Sequence, residues 1–491
     1  MMMTSLPRVR PEEVGIPSSA ILRFMEDMTD KNMNLHSFML LRHGKVAAEG
    51  YYFPFHKDLR HPIFSVSKSL TSAAVGIAIG EGRISLDDKV IHFFPDKQPE
   101  TVHPYTASMT IRHLLSMQTV HRKSTNKEAR DIVFEYLHTP PSHPPGTVFA
   151  YDTTGTHTLC AILQRVTGTT VHDYLDARLF QPLGMQDIEW ETCPLGINLG
   201  GSGAYCTTED LAKFGQLYLQ DGVWNGTRIL PEGWVEQSTS KVVDNSSAGI
   251  LLEGRSGYGY QFWRARRQAY CAFGAGGQFV LVSPHHDAVF VSTANTMLNR
   301  DEHQGILDSV WTHLISSMQE PCPFDDAGYD RMQQRLSALK LLLPKGSSFS
   351  HAAAQVSGHP YRLSANEPGW TDCQFTFSDQ ACELIFIHET GRSRVVCSMN
   401  DWHIGPDPFF GLPSACGAVW ADSSTCLIHI QLLEQQQMFI LTCRFDRDGL
   451  VLQIKPAGAL KTNHLDLVLI GTPINKPRTI CSSFASPDNL H

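Results

Sequence analysis

Two residues at a predicted helix start have the types and the spacing of a nucleophile and its base. Ser65 and Lys68 form an S-x-x-K pattern, and residues three apart in a helix lie on the same face. A serine hydroxyl becomes a good nucleophile when a nearby base accepts its proton, and a lysine can do so where burial lowers its pKa. The apolar stretch that continues to Gly80 predicts a buried helix, which would supply that burial.

The S-x-x-K spacing is not specific in this chain. It also occurs at Ser124/Lys127, Ser238/Lys241 and Ser337/Lys340, all in polar stretches. Ser65 differs from these because Phe64 precedes it, Pro62 lies just before, and a long apolar helix follows. The alternative interpretation is a serine that caps the helix beside a solvated lysine, and the context favours the catalytic one.

A second catalytic group is expected from the loop Pro145–Thr153, which precedes a predicted helix over Thr154–Thr167. Tyr151 lies in this loop. A tyrosinate near a lysine ammonium could act as the base or pass a proton to the leaving group. The alternative is that Tyr151 is a packing residue at a helix entry.

A glycine-rich segment, Ala272–Gln278, leads into the strand-like run Phe279–Val282. Small residues at a strand edge allow an acyl group to lie against the backbone, with an N–H directed at a developing oxyanion. The alternative is a strand bulge. The segment does not fit the dinucleotide-binding pattern G-x-G-x-x-G, because a strand and not a helix follows it.

Two other patterns are set aside. Gly200–Ala204 nearly matches the G-x-S-x-G nucleophile elbow, but its last position is Ala and its flanks are not strand then helix, so Ser202 is interpreted as a loop residue. His285–Asp287 lies in a predicted turn without a further ligand set at metal spacing. No metal and no cofactor is expected.

The composition excludes several classes of partner. The 491 residues are 42% hydrophobic and 18% charged, with a net charge of −9, which opposes nucleic-acid binding. The longest apolar run, Ala73–Ile79, is far shorter than the roughly 20 residues that span a bilayer, and the N-terminal residues have no apolar signal-peptide region. A cytoplasmic protein without a membrane partner is expected. Its twelve cysteines, without a C-x-x-C pair, are expected to be buried reduced thiols.

The distribution of predicted elements indicates an α+β first domain over residues 1–318. A hairpin over residues 36–53 and strands between Tyr258 and Thr296 enclose a mainly helical block, so the sheet would combine pieces distant in sequence. Residues 319–350 form a linker with a helix. Residues 351–491 show short alternating runs typical of strands and are predicted to form a separate β-rich domain, a barrel or a sandwich.

Three segments together resemble the beta-lactamase-related serine hydrolases, a superfamily that includes class C beta-lactamases, DD-peptidase-like proteins, family VIII esterases and 6-aminohexanoate-dimer hydrolases. They are Phe64–Leu70, Pro145–Tyr151 and Gly200–Leu211, and the resemblance covers about residues 10–318. It implies a beta-lactamase/transpeptidase-like domain. It further implies Ser65 as nucleophile, Lys68 as general base, Tyr151 as proton-transfer partner, and the backbone N–H groups of Ser65 and Ala275 as the oxyanion hole, with Gly274 beside it.

Two departures from the family pattern bear on the substrate. The usual Tyr-x-Asn motif reads Tyr151-Asp-Thr153, so an amide that contacts the substrate carbonyl is replaced by the weaker Thr153 hydroxyl. The Lys/His-Thr-Gly motif aligns with Ala272-Phe-Gly274, which offers no cation for a substrate carboxylate. The missing cation argues against penicillin-like substrates, and the Gly274–Gln278 segment resembles the esterase and aminohexanoate-hydrolase branch.

The sequence thus predicts a metal-independent serine hydrolase that acts through an acyl-enzyme on an ester, lactone or amide of a small, uncharged or weakly charged molecule. An acyltransferase of small-molecule, secondary-metabolite biosynthesis would use the same residues, because both reactions share the first half. A catalytically silent binding protein is the third alternative. The small-molecule substrate is the one partner predicted, and a homodimer is left open.

Overall fold

The computed structural model describes residues 5–247, 251–297, 301–458 and 465–474, with only the backbone described at positions 301 and 302. The chain divides into two compact units. The first comprises Met1–Leu342 together with two short segments, Leu433–Gln437 and Ala457–Leu460, and the second comprises the remaining residues from Leu343 onward.

The first unit contains the helical block and one main sheet. Its helices are α1 Ser18–Asp30, α2 Ser67–Gly80, α3 Pro104–Ser108, α4 Ile111–Leu115, α5 Ile132–His138, α6 Thr153–Thr167, α7 Val171–Leu175, α8 Gln181–Leu183, α9 Thr208–Leu219, α10 Trp234–Thr239, α11 Asp301–Ser309 and α12 Asp326–Ser337. Its strands are β1 Leu35–Arg42, β2 Lys45–Tyr51, β3 His61–Pro62, β4 Glu189–Trp190, β5 Ala204–Cys206, β6 Val223–Trp224, β7 Thr227–Arg228, β8 Trp263–Arg264, β9 Tyr270–Gly274, β10 Gln278–Ser283 and β11 Ala288–Ala294. Helix α12, which the sequence pattern assigns to a linker, belongs to this unit.

The main sheet has six strands in the order β2-β1-β11-β10-β9-β8, and the residues of β1, β10 and β11 are almost all buried. On one face, Phe24 of α1 packs edge-on against Phe38 and Phe290, with ring centroids 5.1 and 5.7 Å apart. On the other face, α9 packs on β10 and β11, where Gly215 allows close approach to valine side chains of the sheet. The prediction of an α+β domain with a sheet assembled from sequence-distant pieces is confirmed.

Helix α2 is buried on all sides, which follows from its composition of small and aliphatic residues. Gly76 is required for this packing, because a Cβ there would lie 2.4 Å from the Trp234 ring. A helix so enclosed holds its first turn rigidly, and that turn carries Lys68. Among the helices of the described residues, none is long and apolar enough to cross a membrane.

The second unit is a β-barrel, which resolves the barrel-or-sandwich alternative for the C-terminal domain. Among the residues that the structure describes in this unit, a short helix, α13 His351–Val356, precedes ten strands: β12 Pro360–Leu363, β13 Trp370–Phe377, β14 Ala381–His388, β15 Gly391–Met399, β16 His403–Pro406, β17 Pro413–Trp420, β18 Thr425–Leu432, β19 Met438–Phe445, β20 Leu450–Ala457 and β21 Leu467–Pro473. Consecutive strands are antiparallel neighbours in most places, and β12 pairs with β21. Parallel pairing of β15 with β17 closes the ring.

Alternate residues of the barrel strands point inward and form the core of this unit. Six cysteines are among these core residues: Cys373, Cys382, Cys397, Cys416, Cys426 and Cys443. Every cysteine of the described residues is a free thiol, and all except the half-buried Cys322 are buried. Burial raises the pKa of Cys373 to about 12, which keeps that thiol protonated and unreactive.

Candidate active site

Ser65 and Lys68 lie at the start of α2. Phe64–Val66 forms a short 3-10 turn that continues directly into the helix, and Phe64 adopts a left-handed backbone conformation with φ of 46°. This turn leaves Ser65 partly exposed while Lys68, one turn later, is 1% exposed. The Lys68 Nζ atom lies 3.1 Å from the Ser65 Oγ atom.

Three oxygen atoms surround the Lys68 amine. Its Nζ atom donates to the backbone carbonyl of Gly201 at 2.6 Å and to the Thr153 hydroxyl at 3.2 Å, with Ser65 Oγ as the third neighbour. An uncharged amine has two N–H groups and one lone pair. Because the Gly201 carbonyl can only accept, donation to it and to Thr153 leaves the lone pair for the Ser65 hydroxyl.

Burial lowers the pKa of the Lys68 ammonium to about 7. The negative charge of Asp152 opposes this effect and raises the pKa, whereas the positive charge of the exposed Lys127 lowers it further. A substantial fraction of Lys68 is therefore uncharged near neutral pH, as a general base requires.

Tyr151 lies immediately before α6, within reach of both residues. Its ring centroid is 4.7 Å from Lys68 Nζ, and the ring stacks on Trp263 with centroids 5.3 Å apart. Burial raises the pKa of the Tyr151 phenol well above its ordinary value, and the neighbouring Ser65 hydroxyl lowers that pKa only in part. Tyr151 therefore remains a protonated phenol at neutral pH.

Asp152 fixes the loop that carries Tyr151. It caps α6, where its carboxylate accepts from the Thr154 backbone N–H at 3.0 Å and from the Thr154 hydroxyl at 2.7 Å. The Tyr136 hydroxyl donates to the same carboxylate at 3.1 Å. Asp152 is fully buried, so its charge acts on Lys68 through a medium of low polarity.

Gly201 lies in Gly200–Ala204, the segment whose near match to a nucleophile elbow at Ser202 was set aside in the sequence analysis. A Cβ atom on Gly201 would lie 2.5 Å from Thr153 Cγ2 and 3.3 Å from Lys68 Nζ. Glycine is therefore what allows the Gly201 carbonyl to reach the amine. No local pattern in the sequence indicated this contact, although the double glycine Gly200-Gly201 marks a close approach of backbone.

The rejected S-x-x-K pair at Ser124 and Lys127 also lies near the site. The Ser124 hydroxyl accepts from the Thr153 backbone N–H at 2.8 Å, and the Lys127 charge acts on Lys68. Ser124 therefore holds the Thr153 backbone, and Lys127 lowers the Lys68 pKa through its charge. The Thr153 hydroxyl, which was expected to face the substrate carbonyl, contacts Lys68 in the structure.

Gly274 and Ala275 lie at the end of β9, which packs against the turn that carries Ser65. A Cβ atom on Gly274 would lie 2.3 Å from the Ile63 carbonyl oxygen, so a glycine is needed for this approach. Ala275 begins the connection from β9 to β10. The aligned positions Ala272 and Phe273 are buried, so the position at which the family pattern has a cation holds a buried alanine. The next residue, Phe273, stacks on Trp263 with centroids 5.6 Å apart.

The described residues contain no group of three or more histidine, cysteine, aspartate or glutamate side chains arranged to hold a metal ion. His285 and His286 form part of a one-turn helix between β10 and β11, and Asp287 follows it in a left-handed conformation. The Ser283 hydroxyl pairs with His286 at 2.8 Å, while Asp287 pairs with His43 at 2.7 Å. These contacts are those of a surface turn.

Two charge-removing substitutions should move the pH dependence of activity in opposite directions. Asp152→Asn removes the charge that raises the Lys68 pKa, so the rising acid limb of kcat/KM should move to lower pH. Lys127→Gln removes a charge that lowers the pKa, so the limb should move to higher pH. Asparagine also caps helices well, which preserves the start of α6. The measurement is kcat/KM for a p-nitrophenyl ester between pH 5 and 9.

Lys123→Gln is the matched control for these substitutions. Lys123 is an exposed lysine of the same loop, and its charge is not among those that shift the Lys68 pKa. The acid limb of the kcat/KM profile of Lys123→Gln should coincide with that of the unmodified protein. A shift of both test variants in the same direction would contradict the electrostatic account of the site.

Comparison with known proteins assigns the chain to a family. The family model described as beta-lactamase matches residues 24–310. The 6-aminohexanoate-dimer hydrolase of Paenarthrobacter ureafaciens is 28% identical over 284 residues, which are 53% of this chain and 72% of that protein.

Two solved structures show the fold. The octameric penicillin-binding protein homologue from Pyrococcus abyssi superposes with a TM-score of 0.50 at 14% identity, over 92% of this chain and 99% of that one. EstCE1, described as a hydrolase with promiscuous acyltransferase activity, gives a TM-score of 0.50 at 16% identity, over 60% of this chain and 99% of its own. Since the family model covers more than half of the 491 residues, the protein belongs to the beta-lactamase family.

Proposed function

We propose that the protein is a serine hydrolase that cleaves an ester, lactone or amide of a small molecule through an acyl-enzyme. The observation that carries this proposal is the environment of the Lys68 amine. Its Nζ atom lies 2.6 Å from the Gly201 carbonyl oxygen, 3.2 Å from Thr153 Oγ1 and 3.1 Å from Ser65 Oγ, and burial lowers its pKa to about 7. In its uncharged form the amine can donate to the first two oxygens and keep its lone pair for the Ser65 hydroxyl. A lysine held in this way is suited to remove a proton from the serine.

In the first step, Ser65 Oγ attacks the substrate carbonyl carbon while its proton moves to Lys68 Nζ. The new bond between Oγ and carbon converts the carbonyl into a tetrahedral oxyanion. The backbone N–H groups of Ser65 and Ala275 are the proposed donors to that oxyanion, since β9 runs beside the Ser65 turn.

In the second step, the tetrahedral intermediate collapses and the bond to the leaving group breaks. Tyr151, which remains protonated at neutral pH, donates its proton to the departing oxygen or nitrogen and regains one from the Lys68 ammonium. The acyl group stays on Ser65. Water then attacks the acyl-enzyme by the same proton transfers in reverse order, releasing the acid and restoring Ser65.

The substrate is proposed to lack a carboxylate next to the scissile bond, because Ala272 and Phe273 provide no cation there. Tyr151, Trp263 and Phe273 instead present stacked aromatic rings that suit an apolar acyl chain. The name of the 28% identical relative, 6-aminohexanoate-dimer hydrolase, supports an amide as one substrate class.

Acyl transfer to an alcohol is the second candidate. It uses the same acyl-enzyme, and the description of EstCE1 as a hydrolase with promiscuous acyltransferase activity supports it. An acyltransferase would form product only with an acceptor present and would show a negligible hydrolytic background.

A fluorophosphonate probe tests the proposal. The probe should form one covalent adduct with the folded protein, and peptide mapping should place it on Ser65. Ser65→Ala should abolish the adduct together with turnover of p-nitrophenyl acetate and butyrate.

Ser337→Ala is the matched control, because Ser337 starts another S-x-x-K pattern but donates to the Gln334 carbonyl on the surface of α12. This variant should label like the unmodified protein. Absence of an adduct on the folded protein would support the silent binding protein instead. An adduct that persists unchanged in Ser65→Ala would show that the nucleophile is another residue.

A further inference from the structure

The connection from β9 to β10 carries the proposed oxyanion donor and contains two glycines. It consists of Ala275, Gly276 and Gly277, and the two glycines have φ of 84° and 96°. Glycine populates many backbone conformations at similar free energy. Contacts from outside the connection can therefore help to hold the backbone on the C-terminal side of Ala275.

Two side-chain amides hold the Ala275 carbonyl. The Nε2 atom of Gln278 donates to it at 3.1 Å, and the Nε2 atom of Gln436 donates to it at 3.2 Å. The same two amides also donate to the Ala294 carbonyl, at 2.7 and 2.8 Å. The N–H of the same peptide group, that of Gly276, donates to His303 Nε2 at 2.8 Å.

Gln436 lies in the segment Leu433–Gln437, which belongs to the first compact unit although it is more than 150 residues from Ala275 in sequence. The side chain is 2% exposed, and its backbone carbonyl accepts from Asn295 Nδ2 at 2.7 Å. A Cβ atom on Gly276 would lie 1.3 Å from Gln436 Nε2. Position 276 thus needs glycine both for its φ and for the space that the Gln436 amide occupies.

We infer that Gln436 is a positioning residue for the oxyanion hole. By donating to the Ala275 carbonyl and the Ala294 carbonyl together, it ties the peptide group that follows Ala275 to the end of β11. This restricts rotation about the two backbone bonds of Ala275, and through them it positions the N–H group on the preceding peptide. A hydrogen bond to an oxyanion weakens steeply with misalignment, so this restriction favours the transition state. The inference rests on the proposed function, because it requires that the Ala275 N–H group stabilises an oxyanion.

Gln436→Met tests this inference, since methionine keeps the length and most of the volume of the side chain but has no N–H group. We expect kcat for p-nitrophenyl butyrate to fall about 10- to 100-fold while KM changes less than about twofold. Gln435→Ala is the matched control. Gln435 is the adjacent, half-buried glutamine whose side chain contacts Tyr205, and its substitution should leave kcat unchanged.

An infrared measurement separates positioning from a general structural effect. The acyl-enzyme formed from p-nitrophenyl trimethylacetate with a ¹³C carbonyl should show a higher carbonyl stretching frequency in Gln436→Met, because hydrogen bonds in an oxyanion hole lower that frequency. Gln436→Ala provides a second variant should methionine disturb folding, and thermal unfolding checks both. A wild-type stretching frequency and kcat in a folded Gln436 variant would overturn the inference while Ser65 labelling still supports the proposed function. Failure of the unmodified protein to label at Ser65 would overturn both.

Discussion

Replacing Lys68 by methionine should lower kcat/KM for p-nitrophenyl esters by about 10⁴-fold, the effect typical of removing the base that activates a serine nucleophile. Methionine is a good helix former of similar length, so α2 should keep its first turn. The Gly201 carbonyl and the Thr153 hydroxyl lose a donor, at a cost of about 1–3 kcal/mol for an unpaired buried group. Removing a costly buried amine offsets part of that loss.

The pH profile distinguishes loss of the base from loss of structure. In the unmodified protein, kcat/KM should rise with pH through about 7 as Lys68 loses its proton, because only the uncharged amine can accept the Ser65 proton. The residual activity of Lys68→Met should lack this limb, and thermal unfolding should confirm that the variant is folded.

Lys340→Met is the matched control for this substitution. Lys340 completes the S-x-x-K pattern that starts at Ser337, and it is exposed. Replacing Lys340 should leave both kcat/KM and its rise with pH unchanged. A Lys68→Met protein that kept more than about a tenth of the activity with the same limb would show that another group is the base.

The local part of the site could be predicted from sequence. Ser65 and Lys68 are three residues apart, so a helix alone brings them together, and the apolar residues that follow Lys68 predict its burial. The loop before α6 could likewise be placed from its Pro and Gly residues, which set Tyr151 just ahead of the helix. The sheet followed from strand patterns at both ends of the first domain, and its strand order could then be limited to few arrangements.

The contacts that tune the site could not be predicted in the same way. Three groups reach the site from segments far apart in the chain: the Gly201 carbonyl, the Ser124 hydroxyl and the Gln436 amide. Periodicity and spacing in the sequence do not predict such long-range contacts. The Ser124/Lys127 pair was visible in the sequence but was set aside as a chance pattern, because its surroundings are polar. Its position is set by the packing of its loop beside α6, which is a tertiary property.

Tyr151→Phe should slow substrates with poor leaving groups far more than those with good ones. Burial raises the Tyr151 pKa, so in the proposed mechanism the phenol is assigned as the acid toward the leaving group and not as the base toward Ser65. For ethyl butyrate, whose ethoxide must be protonated as it departs, we expect kcat/KM to fall about 10²- to 10³-fold. For p-nitrophenyl butyrate, whose leaving group departs as a stable anion, the fall should be less than about tenfold. The two esters deliver the same acyl group, so the comparison isolates the leaving group.

Phenylalanine keeps the ring that stacks on Trp263 and faces Lys68, so the substitution removes the hydroxyl alone. Tyr258→Phe is the matched control, because Tyr258 is a second buried tyrosine whose ring centroid is 6.4 Å from that of Tyr151. Any loss in that variant should be equal for the two esters. Equal losses in Tyr151→Phe would instead mean that the phenol acts before the leaving group departs, in the attack of Ser65. The assignment of base and acid between Lys68 and Tyr151 would then have to be reversed.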